Sequence, residues 1–268
     1  MPIEFTVCCL MYGNYPQLAR RMFDSFRHAS MPRAEWRIGF NRTAEETHTI
    51  TRSFFSEYQH TVTEWFGEKP YYKYPLMRRM FHERRIVTPY VLWFDDDSYL
   101  ANNASGEQLF SDIRTKLNEY HMLGAPYRQR LRGNQDAYIR DQPWFTGADI
   151  KPYVDFITGG WWAIRTEVLC KHNWPSRDLE HNGGDVMLGA LCAQQGYKLG
   201  KYTANVCINA DDSGSCSTAV RRGASTQPVG VGYTKPEKKS GYSIIPDRLT
   251  RYVGILERLR DSNDNKNS

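Results

Sequence analysis

Residues 91–98 read VLWFDDDS, four bulky apolar side chains running straight into three consecutive carboxylates. Adjacent aspartates repel one another, and Asp is a poor strand former. The apolar run has the composition of a central parallel strand buried on both faces. Thr88 and Pro89 stop the helix ahead of it, because the residue before a proline disfavours the α conformation. Three Asp at the carboxyl end of such a strand can be accommodated in two ways. Either water solvates the charges in a turn, or a cation neutralises them. In open α/β sheets that end is where ligands bind.

The rest of the chain supplies the layers such a strand needs. Phe5 to Leu10 predicts a first strand, followed by a turn-like Tyr12-Gly13-Asn14-Tyr15 and by Pro16, whose missing N–H costs nothing in a first helical turn. Leu18, Met22, Phe23 and Phe26 then share one helical face. Strand, loop and helix in that order open an α/β fold. Trp36 to Phe40 reads as the second strand, ending at Asn41 and Arg42. Residues 44–60 read as a helix, as does a segment that Pro75 starts, with Leu76, Met77, Met80 and Phe81 inward. Residues 124–153 read as an irregular insertion rich in Arg, Tyr, Gly and Pro. Tyr153 to Ile157 is strand-like and leads into Thr158-Gly159-Gly160-Trp161-Trp162. Residues 185–195 are helical, with Gly196 placed as the C-cap, and residues 197–202 and 206–210 are short strands. Residues 211–242 read as loop, Leu249, Val253, Leu256 and Leu259 as a last helix, and the final eight residues as a disordered tail. The expected organisation is one α/β domain over 1–245, its mostly parallel sheet flanked by helices, with a helix and tail over 246–268.

Composition narrows the class. The chain has 268 residues, 40% apolar and 24% charged, which is ordinary for a globular protein. No apolar run nears the roughly 20 residues of a membrane span. The N-terminus lacks a basic region and a small-residue cleavage site, so no signal peptide is expected. Cysteines at 8, 9, 170, 192, 207 and 216 show no CxxC spacing, which argues against a zinc site or disulfide framework. Most read as small buried hydrophobes in a reducing compartment, so the cytoplasm is the expected location. The formal charge of +5 permits a polyanionic partner without demanding one.

Strand-end carboxylates suit Mg²⁺ or Mn²⁺, which take oxygen ligands and combine one or two carboxylates with substrate phosphates. Asp95 and Asp97 are spaced to reach one ion from either side of a turn. The ordered set CCLMYGNYP, VLWFDDDSYL, FITGGWWAIR and NGGDVMLGALCAQQGYKLG, over residues 3–210, resembles the nucleotide-sugar glycosyltransferases of the GT-A fold. It is most similar to the inverting family-2 type, and the triple Asp is similar to that of fringe and the β-1,3-galactosyltransferases. The resemblance implies a nucleoside diphosphate sugar as donor and Mn²⁺ or Mg²⁺ as cofactor. It places Tyr12, Asn14, Asn41 and Arg42 at the base and ribose. It makes Asp97 the principal metal ligand and Asp95 a contact of the ribose or the metal, with Asp96 among the donor-binding residues. Gly159 and Gly160 would let backbone approach the donor sugar, and Trp161 or Trp162 would offer the sugar an apolar face. Asp185 matches the second acid of the family's usual Glu-Asp pair, the general base of an inverting enzyme. Such a base needs burial to lift it from about 3.9. An Asp starting a helix is also a good N-cap, and both roles are compatible. The first acid of the pair is absent, and no His follows the closing strands as a further metal ligand. Asp211 or Asp212 is a weak substitute, and His181 is more often structural.

Residues 69–85 hold six Lys or Arg against one Glu, and YRQRLR over 127–132 adds three Arg. Aromatic and cationic groups together stack on bases and hold phosphates. Arg78, Arg79, Arg84 and Arg85 read as the solvated face of a helix, whereas Lys73 and the YRQRLR loop are candidates for a phosphate-bearing acceptor, including a hydroxymethylated DNA base. A nucleotidyltransferase also uses strand-end carboxylates but usually carries a basic Gly-rich loop after its first strand, and MYGNYPQ has none. A non-catalytic sugar or nucleic-acid binding module would not need Asp97 and Asp185 together.

Overall fold

A computed structural model describes residues 2–57, 61–66, 73–132, 134–179 and 183–210. The expected helix over 249–259, the 211–242 loop, Asp211, Asp212 and His181 lie outside the described residues. Seven strands form one sheet in the order β3-β2-β1-β4-β7-β6-β8. They are β1 (Phe5–Tyr12), β2 (Glu35–Asn41), β3 (Thr61–Phe66), β4 (Tyr90–Asp95), β6 (Met122–Arg130), β7 (Tyr153–Arg165) and β8 (Leu199–Lys201). β1 to β4 are mutually parallel, and β6 is parallel to β8. β7 runs against both its neighbours. A separate pair joins β5 (Tyr99–Leu100) to β9 (Val206–Cys207). No helix among the described residues is long and apolar enough to cross a membrane.

The two-residue period of the strands sorts their side chains into two cores, one on each face of the sheet. Val7, Cys9, Leu92, Phe94, Trp161 and Ala163 face α1 (Pro16–His28), α2 (Glu45–Glu57) and α4 (Gly106–Lys116). Cys8, Leu10, Val91, Trp93, Trp162 and Ile164 face α3 (Lys73–His82), α6 (Thr166–Lys171) and α7 (Gly184–Gln194). Trp93 stacks on Trp162 across the β4–β7 pair, centroids 5.7 Å apart and planes 12° from parallel. Pro16 stands at the start of α1, whose buried residues include the expected Leu18, Met22, Phe23 and Phe26. Five described cysteines are free thiols. Burial pushes the Cys8 thiol up to about 12, so it behaves as a small hydrophobe.

Three expectations need correction. Residues 122–130 form strand β6, and α5 (Gln135–Arg140) follows, so much of the supposed irregular insertion is regular. Its exposed residues hid the strand, because beyond Gly124 the pairing shifts and β6 leaves the core. The cap of α7 is Gly183, at φ 78°, and not Asp185, which lies inside the first turn. Arg78 and Arg79 are not simply solvated: Arg78 donates to the Asn173 and Pro175 carbonyls, and Arg79 to Glu83 and the Phe66 carbonyl. At the far end of α7 the expected glycine works as anticipated. Gly196 has φ +68°, Tyr197 N–H donates to the Cys192 carbonyl at 2.8 Å, and Gly196 N–H to that of Ala193 at 3.4 Å.

Edge order places the site. The chain steps outward from β1 to β2 and β3, then returns to lay β4 on the other side of β1. That reversal opens a crevice at the carboxyl ends of β1 and β4. The opposite edge is held by Arg37, whose side chain is wholly buried. Its guanidinium donates to Glu35 at 2.7 and 2.8 Å, to the Met80 carbonyl in the last turn of α3, and to the Arg84 and Arg85 carbonyls after it. Removing one partner of a buried pair leaves an uncompensated charge. Arg37→Met should therefore cost about 3–5 kcal/mol of stability by urea denaturation. Adding Glu35→Gln should recover part of that loss, and equal stability of the single and double variants would contradict a role for the buried charge.

Candidate active site at the carboxyl edge of the sheet

The three aspartates of the opening stretch end β4 with three different environments. Asp95 gives one carboxylate oxygen to the Trp93 indole N–H at 2.9 Å and the other to the Lys73 ammonium at 2.6 Å. Asp96 is 2% exposed and turns back to β1, where its carboxylate accepts the Tyr12 N–H at 2.8 Å and its own N–H donates to the Leu10 carbonyl at 3.1 Å. Asp97 is 8% exposed in the turn, and its carbonyl accepts the Ala210 N–H at 2.9 Å. Ser98 N–H closes the turn on the Asp95 carbonyl, and its hydroxyl accepts the Asn209 N–H. Repulsion between neighbours is thus offset by partners in different directions, and the turn is clamped to β1 on one side and to the chain at 209–210 on the other.

Register brings the expected donor-side residues to the same edge. Tyr12 pairs with Asn41, and Gly13 N–H donates to the Asn41 carbonyl at 3.0 Å. Arg42 follows at φ 55°, Asn14 is exposed, and Asn41 is wholly buried. Opposite them, Lys73 opens α3 and also donates to the Gly159 carbonyl at 2.6 Å. A Cβ on Gly159 would lie 3.3 Å from the Lys73 ammonium and 3.9 Å from an Asp185 carboxylate oxygen, so this glycine lies between the two charged groups. Asp185 sits in the first turn of α7 and accepts the Val186 N–H at 3.0 Å. Desolvation raises its pKa above the ordinary 3.8, against the lowering by Val186 N–H and by the Lys73 charge, and Asp95 raises it further. A carboxyl made more basic at a ligand-binding edge suits proton abstraction.

Several site expectations fall elsewhere. Trp161 and Trp162 are 0% and 2% exposed and pack in the two cores, so neither ring offers a sugar a face. A strand crossing a sheet covered on both sides buries successive residues, and the alternation sends one indole each way. Gly160 makes room for Asn209, whose Oδ1 would lie 2.1 Å from an added Cβ, and not for a sugar. Asp95, expected at the ribose or a metal, holds Trp93 and Lys73 at the strand end. Lys73, expected at a phosphate-bearing acceptor or the donor, joins the strand-end carboxylates. The YRQRLR segment is no loop: Tyr127 to Arg130 pair with Phe156 to Tyr153 in a ribbon. Trp93, Ser98 and Asn209 support the site without having been expected there. Only Trp93 carried a signal, since residues two apart in a strand share a face.

Among the described residues, no three His, Cys, Asp or Glu side chains come together as a protein-only metal site requires. The buried Asp97 carboxylate is a hard oxygen donor at the strand end, which fits an ion that takes its remaining ligands from a substrate's phosphates.

No protein-family model matches the sequence, and no curated protein matches it. Solved structures do. The mannosyltransferase PcManGT from Pyrobaculum calidifontis, in complex with GDP-Man and Mn²⁺, superposes with a TM-score of 0.53 at 14% identity, over 75% of this chain and 55% of that one. S. aureus TarS residues 1–349, in complex with UDP, gives 0.51 at 13% identity, over 75% of this chain and 58% of that one. The chain thus spans little more than half of each. The fold is that of the GT-A glycosyltransferases, α/β with a mostly parallel seven-stranded sheet flanked by helices.

Proposed function

We propose that this GT-A chain transfers a sugar from a nucleoside diphosphate sugar to an acceptor hydroxyl, with inversion at the anomeric carbon. The observation that carries the reading is the convergence of Asp95, Lys73, Gly159 and Asp185 at the crevice where β1 and β4 part. Solved structures of the same fold hold GDP-Man with Mn²⁺ and UDP, which supports a nucleoside diphosphate donor. Tyr12, Asn14, Asn41 and Arg42 line the strand ends where base and ribose would lie. Asp97 would hold Mg²⁺ or Mn²⁺ together with the diphosphate oxygens. Such an ion is a Lewis acid that offsets charge on the leaving diphosphate.

The remaining work falls to the chain. Asp185 takes the proton of the acceptor hydroxyl as its oxygen bonds to the anomeric carbon. The bond from that carbon to the diphosphate breaks in line, and the diphosphate departs with the electron pair. Burial makes Asp185 a better proton acceptor than a free carboxylate. A buried strand-end site with a raised carboxyl favours an enzyme over a passive binding module. Room for the acceptor lies further along α7, at residues 189–194 and not at Asp185 itself. A cavity of about 840 Å³ lies between α7 and the β6–β7 ribbon, lined in part by Tyr127, Arg128, Lys151, Tyr153 and Asp155.

A phosphate-bearing acceptor, including DNA with hydroxymethylated bases, is a second reading that one observation favours. Arg130 pairs directly with Tyr153, and the Arg128 guanidinium lies 5.7 Å from the Tyr153 ring, so two cations and an aromatic share a ribbon face. Arg128 is also 3.6 Å from Asp155, which tempers its charge.

Asp185→Asn should leave donor affinity near wild type while lowering turnover by about 10² to 10⁴-fold, the usual contribution of a general base. Collapse of donor affinity with turnover intact would instead put Asp185 in the donor pocket. The wild-type rate should fall at low pH through a limb above 3.8, because only the ionised carboxyl accepts the proton. Stability carries the opposite sign. A raised folded pKa means Asp185 favours the fold most below its unfolded value and loses that contribution as pH rises through the folded one. The Asn variant should therefore unfold at an equal or higher temperature at neutral pH.

The acceptor readings separate by salt. Nucleic-acid binding should weaken linearly in log salt, by roughly −0.7 to −0.9 per phosphate contact. Arg128→Ala with Arg130→Ala should flatten that slope by about two units in filter binding across a salt series. A flat response of the wild-type protein to modified and unmodified duplexes would remove nucleic acid as acceptor.

A further inference from the structure

Lys73 is a costly residue at its position. Its side chain is 13% exposed and that of Asp95 14%, so the pair is formed largely out of water. A buried ion pair loses in desolvation much of what it gains in attraction. Lys73 is also the first residue of α3, whose first turn holds no acid, and a cation there opposes the helix dipole. Asp95 takes the Trp93 N–H on one oxygen, so Lys73 answers the other oxygen and the Gly159 carbonyl. The ammonium nevertheless stands among Asp95, Gly159 and Asp185, at the ligand-binding edge.

We propose that Lys73 is a built-in cation for the donor's diphosphate, dividing with the divalent ion the charge that a metal alone would otherwise neutralise. This rests on the nucleotide-sugar reading above. Asp95 parks the ammonium when the site is empty. An arriving diphosphate competes with Asp95 for it, since ammonium–phosphate contacts are charge-assisted. Lysine suits the task because its charge is a compact point on a flexible stem, free to turn from one anion to the next. The same placement works against a metal at Asp95. Two cations about 4 Å apart repel even in a partly solvated site, so Lys73 confines the ion to the Asp97 side of the turn.

Two effects of opposite sign follow from one substitution. The metal-free protein, stripped with EDTA, is titrated by calorimetry with UDP, GDP, CDP and inorganic pyrophosphate, and separately with Mn²⁺ alone. Wild type is expected to bind at least one diphosphate without metal. Lys73→Met should weaken that binding tenfold or more and tighten Mn²⁺ alone several-fold, because Asp95 is then released to the ion. Lys73→Arg should keep most of the metal-free binding, and Asp97→Asn should remove the Mn²⁺ response in either background. Thermal unfolding of each variant verifies that it folds. Equal metal-free diphosphate binding by wild type and Lys73→Met, or diphosphate binding by wild type only with Mn²⁺, overturns the role of Lys73 and leaves the donor reading standing. If no probe binds wild type with or without Mn²⁺, both fall.

Discussion

The carboxylate of Asp95, with Trp93 on one oxygen and Lys73 on the other, joins three parts of the molecule that sequence keeps apart. Trp93 fixes it from within β4. Lys73 ties it to the start of α3, and through the Gly159 carbonyl to β7. β7 is also the strand that reverses the sheet's direction, so the contact sits where the parallel half meets the antiparallel one. The stacked Trp93 and Trp162 lie beneath it and hold the two strands in register. β4 and β7 are already joined by their ladder, but without a fixed Asp95 α3 would meet them largely through apolar contacts, which are non-directional. A site needs direction, and this carboxylate supplies it.

The opposite end of the sheet shows the same device in a different service. Arg37 is buried with Glu35 and donates to three carbonyls, one in the last turn of α3 and two just after it. α3 is thus held by a lysine at its start and an arginine at its end. At the Arg37 end every donor is spent on fixed protein partners, as a purely structural ion pair should be. At the Lys73 end the cation has one carboxylate and one carbonyl and stands beside the second carboxylate of Asp185. The asymmetry separates a fastening from a site.

Much of the fold was legible because strands and helices of this chain obey their periods. Phe5 to Leu10, Val91 to Phe94 and the Leu18–Phe26 face lie where the apolar spacing puts them. The edge that carries the candidate site was legible too, since carboxylates that follow a four-residue apolar run must be met by water, by a cation or by polar partners. What failed has a common physical cause. The exposed half of β6 carries Tyr127, Arg128 and Arg130, and a strand that leaves the core loses the apolar signal that marks strands. Trp161 and Trp162 looked like a sugar platform, yet a run of apolar residues in a sheet covered on both faces is core whichever way each side chain points. The second glycine of Gly159-Gly160 pointed toward a ligand by its sequence alone. The neighbour it makes room for is Asn209, 49 residues away, which no local pattern reveals. Lys73 stood out for its charge, but its true neighbour, Asp95, is set by the packing of α3.

On the proposed reading, α7 holds a base and an acceptor in one frame. Its residues from Gly184 to Cys192 are buried all round apart from Asp185, so the helix has no solvent face on which to shift. Gly184 lies against the Tyr74 ring, where an added Cβ would come within 2.1 Å of Cζ. A Cβ on Gly189 would likewise come within 2.4 Å of the Asp155 carbonyl oxygen. At both glycines the helix backbone itself meets its neighbour, the closest packing available. Asp185 stands at one end, and Gly189, Ala190, Ala193 and Gln194 line the cavity along the rest. At about 1.5 Å per residue, the nine steps from Asp185 to Gln194 span roughly 14 Å. On the proposed reading that length is a fixed ruler. The acceptor must reach from the cavity to a base that cannot come to meet it, so the length of the acceptor, and not motion of the base, decides which hydroxyl is placed for transfer.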